Sequence, residues 1–346
     1  MAGNVQMIID GKHRRSRAVL LAAALVILVT GCGKKSGLEH AYSYDDRAVR
    51  FTAEEGDGRA PGFAAGLAVP KEGDDSPGEG EAALSAGAAG VLSLDGGTAL
   101  YQQALTERMN PASTTKVMTA IVALKYGNLS DLVTVPEEAV ITESGSSMAG
   151  VVPGDQMSLE DLLYGLMIPS GNDADNAIDV NVGGSIEGFE YMMNPEAALL
   201  GATGTHFVNA NGLTDPDHYT TAYDLYLMFH EALTYDTFRT IIGAHDHTAV
   251  YTGSDGSQKT ASWTVGNYYM NGKAETPEGL AVFGGKTGTT KAAGYCLIMG
   301  TRTEDGREYA SVIMGADSRA HLYEDMTNII SKNIKKHKLC KQIAKS

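Results

Sequence analysis

The segment Val117-Met118-Thr119-Ala120-Ile121-Val122-Ala123-Leu124 is apolar almost all the way round a helix, so it offers no face to water and must lie inside a folded domain. What precedes it is polar. Pro111-Ala112-Ser113-Thr114-Thr115-Lys116 reads as a turn running into that helix. Ser113 and Lys116 are three residues apart and share a helix face. A serine hydroxyl is a weak nucleophile until a base takes its proton. A lysine desolvated by a buried helix can hold its amine neutral and act as that base. The helix N-terminus favours negative charge developing beside Ser113. The plainer reading of Ser113 is a helix cap.

Two further segments weigh against the cap. Ile168-Pro169-Ser170-Gly171-Asn172-Asp173-Ala174-Asp175-Asn176 is a tight polar turn between two helices. Capping accounts for Asp173 and Asp175, which suit the N-terminal end of the next helix dipole. It does not account for Ser170 and the Asn172 amide displayed together on one corner. Farther on, Ala281 to Thr287 reads as a strand containing Gly284 and Gly285, with Gly288 just after it. Those glycines permit close backbone approach. Lys286 offers a cation and Thr287 a hydroxyl beside a strand edge to which an extended peptide can add.

The rest of the chain reads as mixed α and β. Strands are expected at Ala88 to Leu94, Ala99 to Gln103, Leu132 to Val135, Tyr295 to Arg302 and Glu308 to Gly315. Ser158-Leu159-Glu160-Asp161 and Thr221-Ala222-Tyr223-Asp224 open capped helices. Asn194-Pro195 predicts a kink or a new helix start within the helical stretch from Ile186 to Leu200. A closing helix is expected from Leu322 to Ile334, then a basic tail over 335–346. His245-Asp246-His247 lacks a third ligand at a convincing spacing, so no metal and no cofactor are expected.

Charge and the N-terminal segment narrow the setting. A net charge of −15 argues against nucleic acid, which selects basic surfaces. Three cysteines cannot form a disulfide framework. Lys12, Arg14, Arg15 and Arg17 precede a short apolar run, Ala18 to Thr30, which ends at Gly31-Cys32. This pattern resembles a bacterial lipoprotein signal. The resemblance implies cleavage after residue 31, lipidation of Cys32 and an extracytoplasmic, membrane-anchored protein, two acyl chains sufficing for stable anchoring. Residues 32–81, acidic and glycine-rich, are expected to be a tether without a core of their own. The catalytic domain is then expected over 82–334.

Taken together, Ser113-x-x-Lys116, Ser170-x-Asn172 and Lys286-Thr287-Gly288 form a trio shared by class A β-lactamases and penicillin-binding proteins. The chain resembles the serine D-Ala-D-Ala carboxypeptidases, the low-molecular-mass penicillin-binding proteins. Leu162 to Ala174, Thr205-His206-Phe207-Val208-Asn209, Gly212-Leu213 and His218 to Asp224 extend the likeness, which covers roughly Ala88 to Ile330. The family implies an α+β fold, an antiparallel sheet flanked by helices with a helical subdomain. It implies Ser113 as nucleophile, Lys116 as general base, and Ser170 with Asn172 as relay and substrate holder. Lys286, Thr287, Gly288 and Thr289 would bind substrate, with the N–H groups of Ser113 and Thr289 as oxyanion hole. Arg319 is a further candidate for the substrate carboxylate.

The expected partners are a peptidoglycan stem peptide ending in D-Ala-D-Ala, β-lactams, and the membrane through Cys32. Asn211 departs from the histidine common before Gly-Leu in the family, and Pro195 interrupts a helix usually free of proline. The family's extra C-terminal β-domain is not expected here, the Cys32 lipid replacing its anchoring. Three rival functions remain at this level. One is a β-lactamase, although Gly171 stands where class A enzymes place aspartate. Another is a DD-endopeptidase or transpeptidase. The third is a non-catalytic wall-binding lipoprotein.

Overall fold

The computed structural model describes residues 66–71 and 83–343, all within one compact unit. The expected signal segment 1–31, Cys32 and most of the expected tether lie outside the described residues. One correction falls inside that tether. Ala68–Val69 forms a short strand, β1, with Ala68 fully buried and its N–H donating to Tyr226 Oη at 2.7 Å. The folded unit therefore recruits backbone from upstream of Ala82.

The remaining elements follow in order. Strands β2 (Ala88–Ser93), β3 (Gly97–Thr98) and β4 (Tyr101–Gln103) precede a 3-10 turn, Ala112–Thr115, and helix α1, Lys116–Tyr126. Then come β5 (Leu132–Thr134), β6 (Gln156–Ser158), α2 (Leu159–Met167), α3 (Asn172–Gly183) and α4 (Ile186–Leu199). Helices α5 (Ala222–Ala232) and α6 (Asp236–Gly243) lead to β7 (Asp246–Thr252) and β8 (Gln258–Thr264). The chain closes with β9 (Leu280–Thr290), β10 (Gly294–Thr303), β11 (Glu308–Ala316) and α7 (Arg319–Ile343).

Five strands form an antiparallel sheet in the order β4-β2-β11-β10-β9. Alternation along its strands sorts the apolar side chains to two faces. Leu297, Met299, Tyr309 and Ile313 meet Leu322, Met326 and Ile330 of α7. Ile298, Val312, Met314 and Leu92 face the opposite layer, with α5 and α1. Burying such a side chain contributes about 1.5–3 kcal/mol, so these two layers dominate the stability of the unit. A second antiparallel sheet, β5-β6-β7-β8, belongs to the other lobe with α2, α3 and α4.

Two local expectations change. Helix α4 runs on through Pro195 rather than restarting there. Asn194, beside that proline, is tied across a loop to Phe207, accepting from its N–H and donating to its O, both at 2.8 Å. Helix α7 continues nine residues past Ile334, so the start of the basic tail is helical. Helix α1 stops at Tyr126, with Gly127 as its C-terminal cap. A β-carbon on Gly127 would lie 2.6 Å from Leu159 Cδ2 and 2.7 Å from Ala123 O, so no side chain fits.

Candidate active site

Ser113 sits in the 3-10 turn immediately before α1 and does not cap it, since neither the turn nor the helix has a side-chain cap at its start. The neighbouring hydroxyls hold the turn instead. Thr114 Oγ donates to Pro111 O at 2.7 Å and Thr115 Oγ to Ala112 O at 2.8 Å. Thr115 Oγ also lies 2.9 Å from His218 Nε2, while Val208 N–H donates to His218 Nδ1. These bonds assign the ring proton to Nε2, which donates to Thr115. Burial pushes His218 down to about 4, so the ring stays neutral near pH 7. The result is a relay from His218 through Thr115 to the carbonyl that precedes Ser113.

Two glycines press on the same turn. A β-carbon on Gly288 would lie 2.8 Å from Ser113 N and 2.9 Å from Thr114 N. One on Gly212, whose φ is +85°, would collide with Ala112 O. Ala112 itself has φ +48° and Ser170 has φ +65°. A non-glycine residue held there costs of order 1–3 kcal/mol and persists only where its surroundings enforce it. Of the three non-glycine residues with positive φ among the described residues, these two belong to the site and Ala104 does not.

Lys116 opens α1 and is completely buried. Its Nζ donates to Asn172 Oδ1 and to Asn211 O, each at 2.7 Å. A neutral amine has two N–H bonds, so both would be used and its lone pair left to accept a proton. Burial lowers the Lys116 pKa, and Asp175, Asp179 and Asp173 oppose that shift. Among the described residues, Ser113 Oγ forms no hydrogen bond of its own and lines a cavity. The Asn211 contact is through the main chain. Its side chain instead accepts from Leu213 N–H at 3.0 Å, closing a local turn.

Lys286 comes from β9 and is also buried. Its Nζ donates to Ser170 Oγ at 2.8 Å and to Thr287 O at 2.9 Å. Burial holds its pKa well below the usual value, the positive Lys116 pushing the same way and Asp175 opposing. Strand β9 is the terminal strand of its sheet, so one side of its ladder is unpaired within that sheet.

The corner carrying Ser170 is braced by Asp173. Its carboxylate accepts from Ala149 and Gly150 N–H at 2.7 Å and from Val151 N–H at 3.0 Å. Asn172 N–H donates to Ser147 O at 2.9 Å. The Ser144 to Val152 loop is thus fastened to the start of α3, and Ser147 reaches the cavity wall.

That cavity, about 270 Å³, lies beside Ser113, Ser170, Thr287, Gly288 and Thr289. Arg319, Tyr295 and Tyr323 line it as well. The Arg319 guanidinium stacks 5.6 Å from the Tyr268 ring centre and 5.7 Å from that of Tyr295. The structure therefore gathers the sequence-predicted site residues of the folded domain: Lys286 and Asn172 bond directly to residues of the cavity wall, and Lys116 reaches it through Asn172. His245 and His247 stay apart from it. His247 pairs with Asp161 at 2.7 Å and stacks on Tyr164.

The comparisons with known proteins agree with this architecture. The sequence pattern of a family described as D-alanyl-D-alanine carboxypeptidase matches residues 76–318. This chain belongs to that family. D-alanyl-D-alanine carboxypeptidase DacF of Bacillus subtilis (strain 168) is 33% identical over 255 residues, covering 72% of this chain and 62% of that protein. A D-alanyl-D-alanine carboxypeptidase of Streptomyces sp. (strain K15) is 31% identical over 246 residues, covering 68% of this chain and 82% of that protein. The crystal structure of the Streptomyces K15 DD-transpeptidase superimposes with a TM-score of 0.68 at 29% identity, covering 74% of this chain and 99% of that one. The carboxypeptidase-family fold is thereby shown for the sheet and helices described above.

Sequence reasoning missed several parts of the site. Asn211 acts through its carbonyl, which no side-chain pattern reveals. His218 and Gly212 lie in segments noted only for their family likeness. Asp173 was explained by the helix dipole, whereas it fastens a loop.

Proposed function

We propose that the protein is a serine D-alanyl-D-alanine carboxypeptidase that removes the terminal D-alanine from peptidoglycan stem pentapeptides. The observation that carries this reading is the pairing of two buried lysines with the second motif, Lys116 with Asn172 and Lys286 with Ser170, behind the cavity that Ser113 and Ser170 line. Lys116 takes the Ser113 proton. Ser113 Oγ attacks the carbonyl carbon of the penultimate D-alanine. The developing oxyanion meets the N–H groups of Ser113 and Thr289, which the close approach of Gly288 to the turn brings together.

The C–N bond then breaks. The proton held by Lys116 passes through Ser170 and Lys286 to the departing amine, and D-alanine leaves. Water attacks the Ser113 ester, and the freed carboxylate departs. Thr287 binds the terminal carboxylate, joined by Arg319 from the tyrosine-lined end of the cavity. β-Lactams acylate Ser113 by the same opening step and leave slowly. Cys32 carries the lipid that anchors the protein outside the cytoplasm.

A second reading has its own support. The superimposable Streptomyces structure is named a DD-transpeptidase, and transfer to an amine shares every step up to the acyl-enzyme. The test is D-alanine release from a D-Ala-D-Ala-terminated pentapeptide, with and without an added amine acceptor. Free tetrapeptide from the wild type, and none from Ser113→Ala, supports the carboxypeptidase. Product formed only with the acceptor supports transfer. Neither product, with peptide retained, points to a wall-binding protein. Rapid turnover of penicillin points to a β-lactamase.

A further inference from the structure

The two lysines of the site rest above carboxyl groups that the chemistry just described does not use. Asp175 lies one helical turn along α3 from Asn172, and Asp179 one turn beyond it. They are 0% and 1% exposed. Neither oxygen of Asp175 has a hydrogen-bond partner among the described residues, and neither has Asp179 Oδ1. A buried carboxylate without donors is a costly group, and a helix gains nothing structural from placing one inward.

The charged groups acting on Asp175 come from four elements: Lys116 from α1, Lys286 from β9, Glu190 from α4 and Asp173 from α3 itself. Those acting on Asp179 are Asp175, Glu190 and Lys116. Each lysine spends its two hydrogen bonds on uncharged oxygens, and Asp175 is the carboxyl group that acts on both, joined at Lys116 by Asp179 and Asp173. Buried groups that act on one another titrate together rather than singly. Burial raises Asp175 to about 7 against the downward pull of the two lysines.

We propose that Asp175 is a positioning residue for the acylation step: its unbonded, buried carboxyl group shares protons with Lys116 and Lys286 and so sets the pH at which Lys116 becomes free to take the Ser113 proton. This rests on the reading of Lys116 as the base. The sign follows from charge. An ionised Asp175 favours the ammonium form of Lys116, so removing that charge lets Lys116 lose its proton at lower pH.

The test is the pH profile of Ser113 acylation by penicillin in the full chain, for wild type, Asp175→Asn and Asp179→Asn. Asparagine keeps the volume and removes the charge. The acid limb of Asp175→Asn is expected to move to lower pH by roughly half a unit or more, and that of Asp179→Asn by less. Asp175→Glu, which restores an acid, is expected to return the limb toward the wild type. A purely structural role would lower the melting temperature and leave the limb in place.

Superimposable profiles for wild type and a folded Asp175→Asn overturn the proposal alone. No Ser113 adduct in the wild type overturns the base reading and the proposal with it. If Asp175→Asn fails to fold, difference infrared spectroscopy of the wild type decides. A protonated-carboxyl band lost near neutral pH, in step with the acid limb, supports the proposal; no titrating band overturns it.

Discussion

Gly288 lies so close to Ser113 that a β-carbon on it would stand 2.8 Å from the Ser113 nitrogen. The two nearest atoms it would meet are main chain, and main chain cannot swing aside as a side-chain tip can. Strand β9 and the Ser113 turn thus meet backbone to backbone. Gly288→Ala is expected to fold with a stability loss of about 1–3 kcal/mol. Penicillin acylation should fall by about 100-fold, as expected of a shift near 1 Å in a reacting group. Stopped-flow acylation beside a thermal melt separates the two effects.

The contact between Lys116 and Asn211 is made by a carbonyl, so the side chain at 211 is dispensable to the lysine. Asn211→Ala is expected to change acylation by less than about tenfold, the loss being limited to the local turn at Leu213. Lys116→Arg is the contrasting variant. Arginine stays charged and cannot accept a proton, so acylation should drop by about 10²–10⁴. Equal losses in the two variants would contradict the assignment of the base.

His218 makes stability depend on pH. Its folded pKa, about 4, lies below the usual value near 6.5. Between those values the unfolded chain binds a proton that the folded chain refuses, so stability falls as pH drops from 6.5 to 4 and levels off below. The loss attributable to this ring is on the order of 3 kcal/mol. Asp175, raised to about 7, acts in the opposite direction over part of this range, since its protonated form is the one the fold favours. The difference between wild type and His218→Asn cancels that contribution. Urea denaturation at pH 7 and pH 5 should show a smaller decrease for the variant. Identical decreases would count against a neutral buried imidazole.

Asp173 holds three successive N–H groups of the 144–152 loop, which is the work of a carboxylate rather than of a helix cap. Asp173→Asn turns an amide N–H₂ toward donors it cannot satisfy. The expected result is a loss of about 2–4 kcal/mol, with proteolysis appearing within this loop before the rest of the chain. Limited proteolysis with mass mapping reads this directly. Cleavage elsewhere, with the loop intact, would mean that other contacts hold it.

Much of this architecture was legible because its signals are local. The unbroken apolar run after Lys116 could only be an interior helix, and Ser158 and Thr221 cap their helices as their spacing suggests, accepting from Asp161 and Asp224 N–H. Ser113, Lys116, Asn172 and Lys286 stood out because side-chain chemistry at fixed spacing marks them, and the structure sets each lysine against the second motif. What escaped was non-local. Ala68 joins the fold through Tyr226, 158 residues away, and nothing in the acidic stretch around it announces the contact. Pro195 stays helical, and Asn194 beside it is tied to Phe207 across a loop. Asp175 looked like a dipole complement since its burial depends on α1, α4 and β9 arriving from elsewhere in the chain.

The most direct test of the central claim is intact-mass and peptide-map analysis of the protein after brief exposure to penicillin. The account predicts a single penicilloyl adduct on the peptide containing Ser113, absent in Ser113→Ala. An adduct on another residue, or equal labelling of the Ser113→Ala variant, would contradict it.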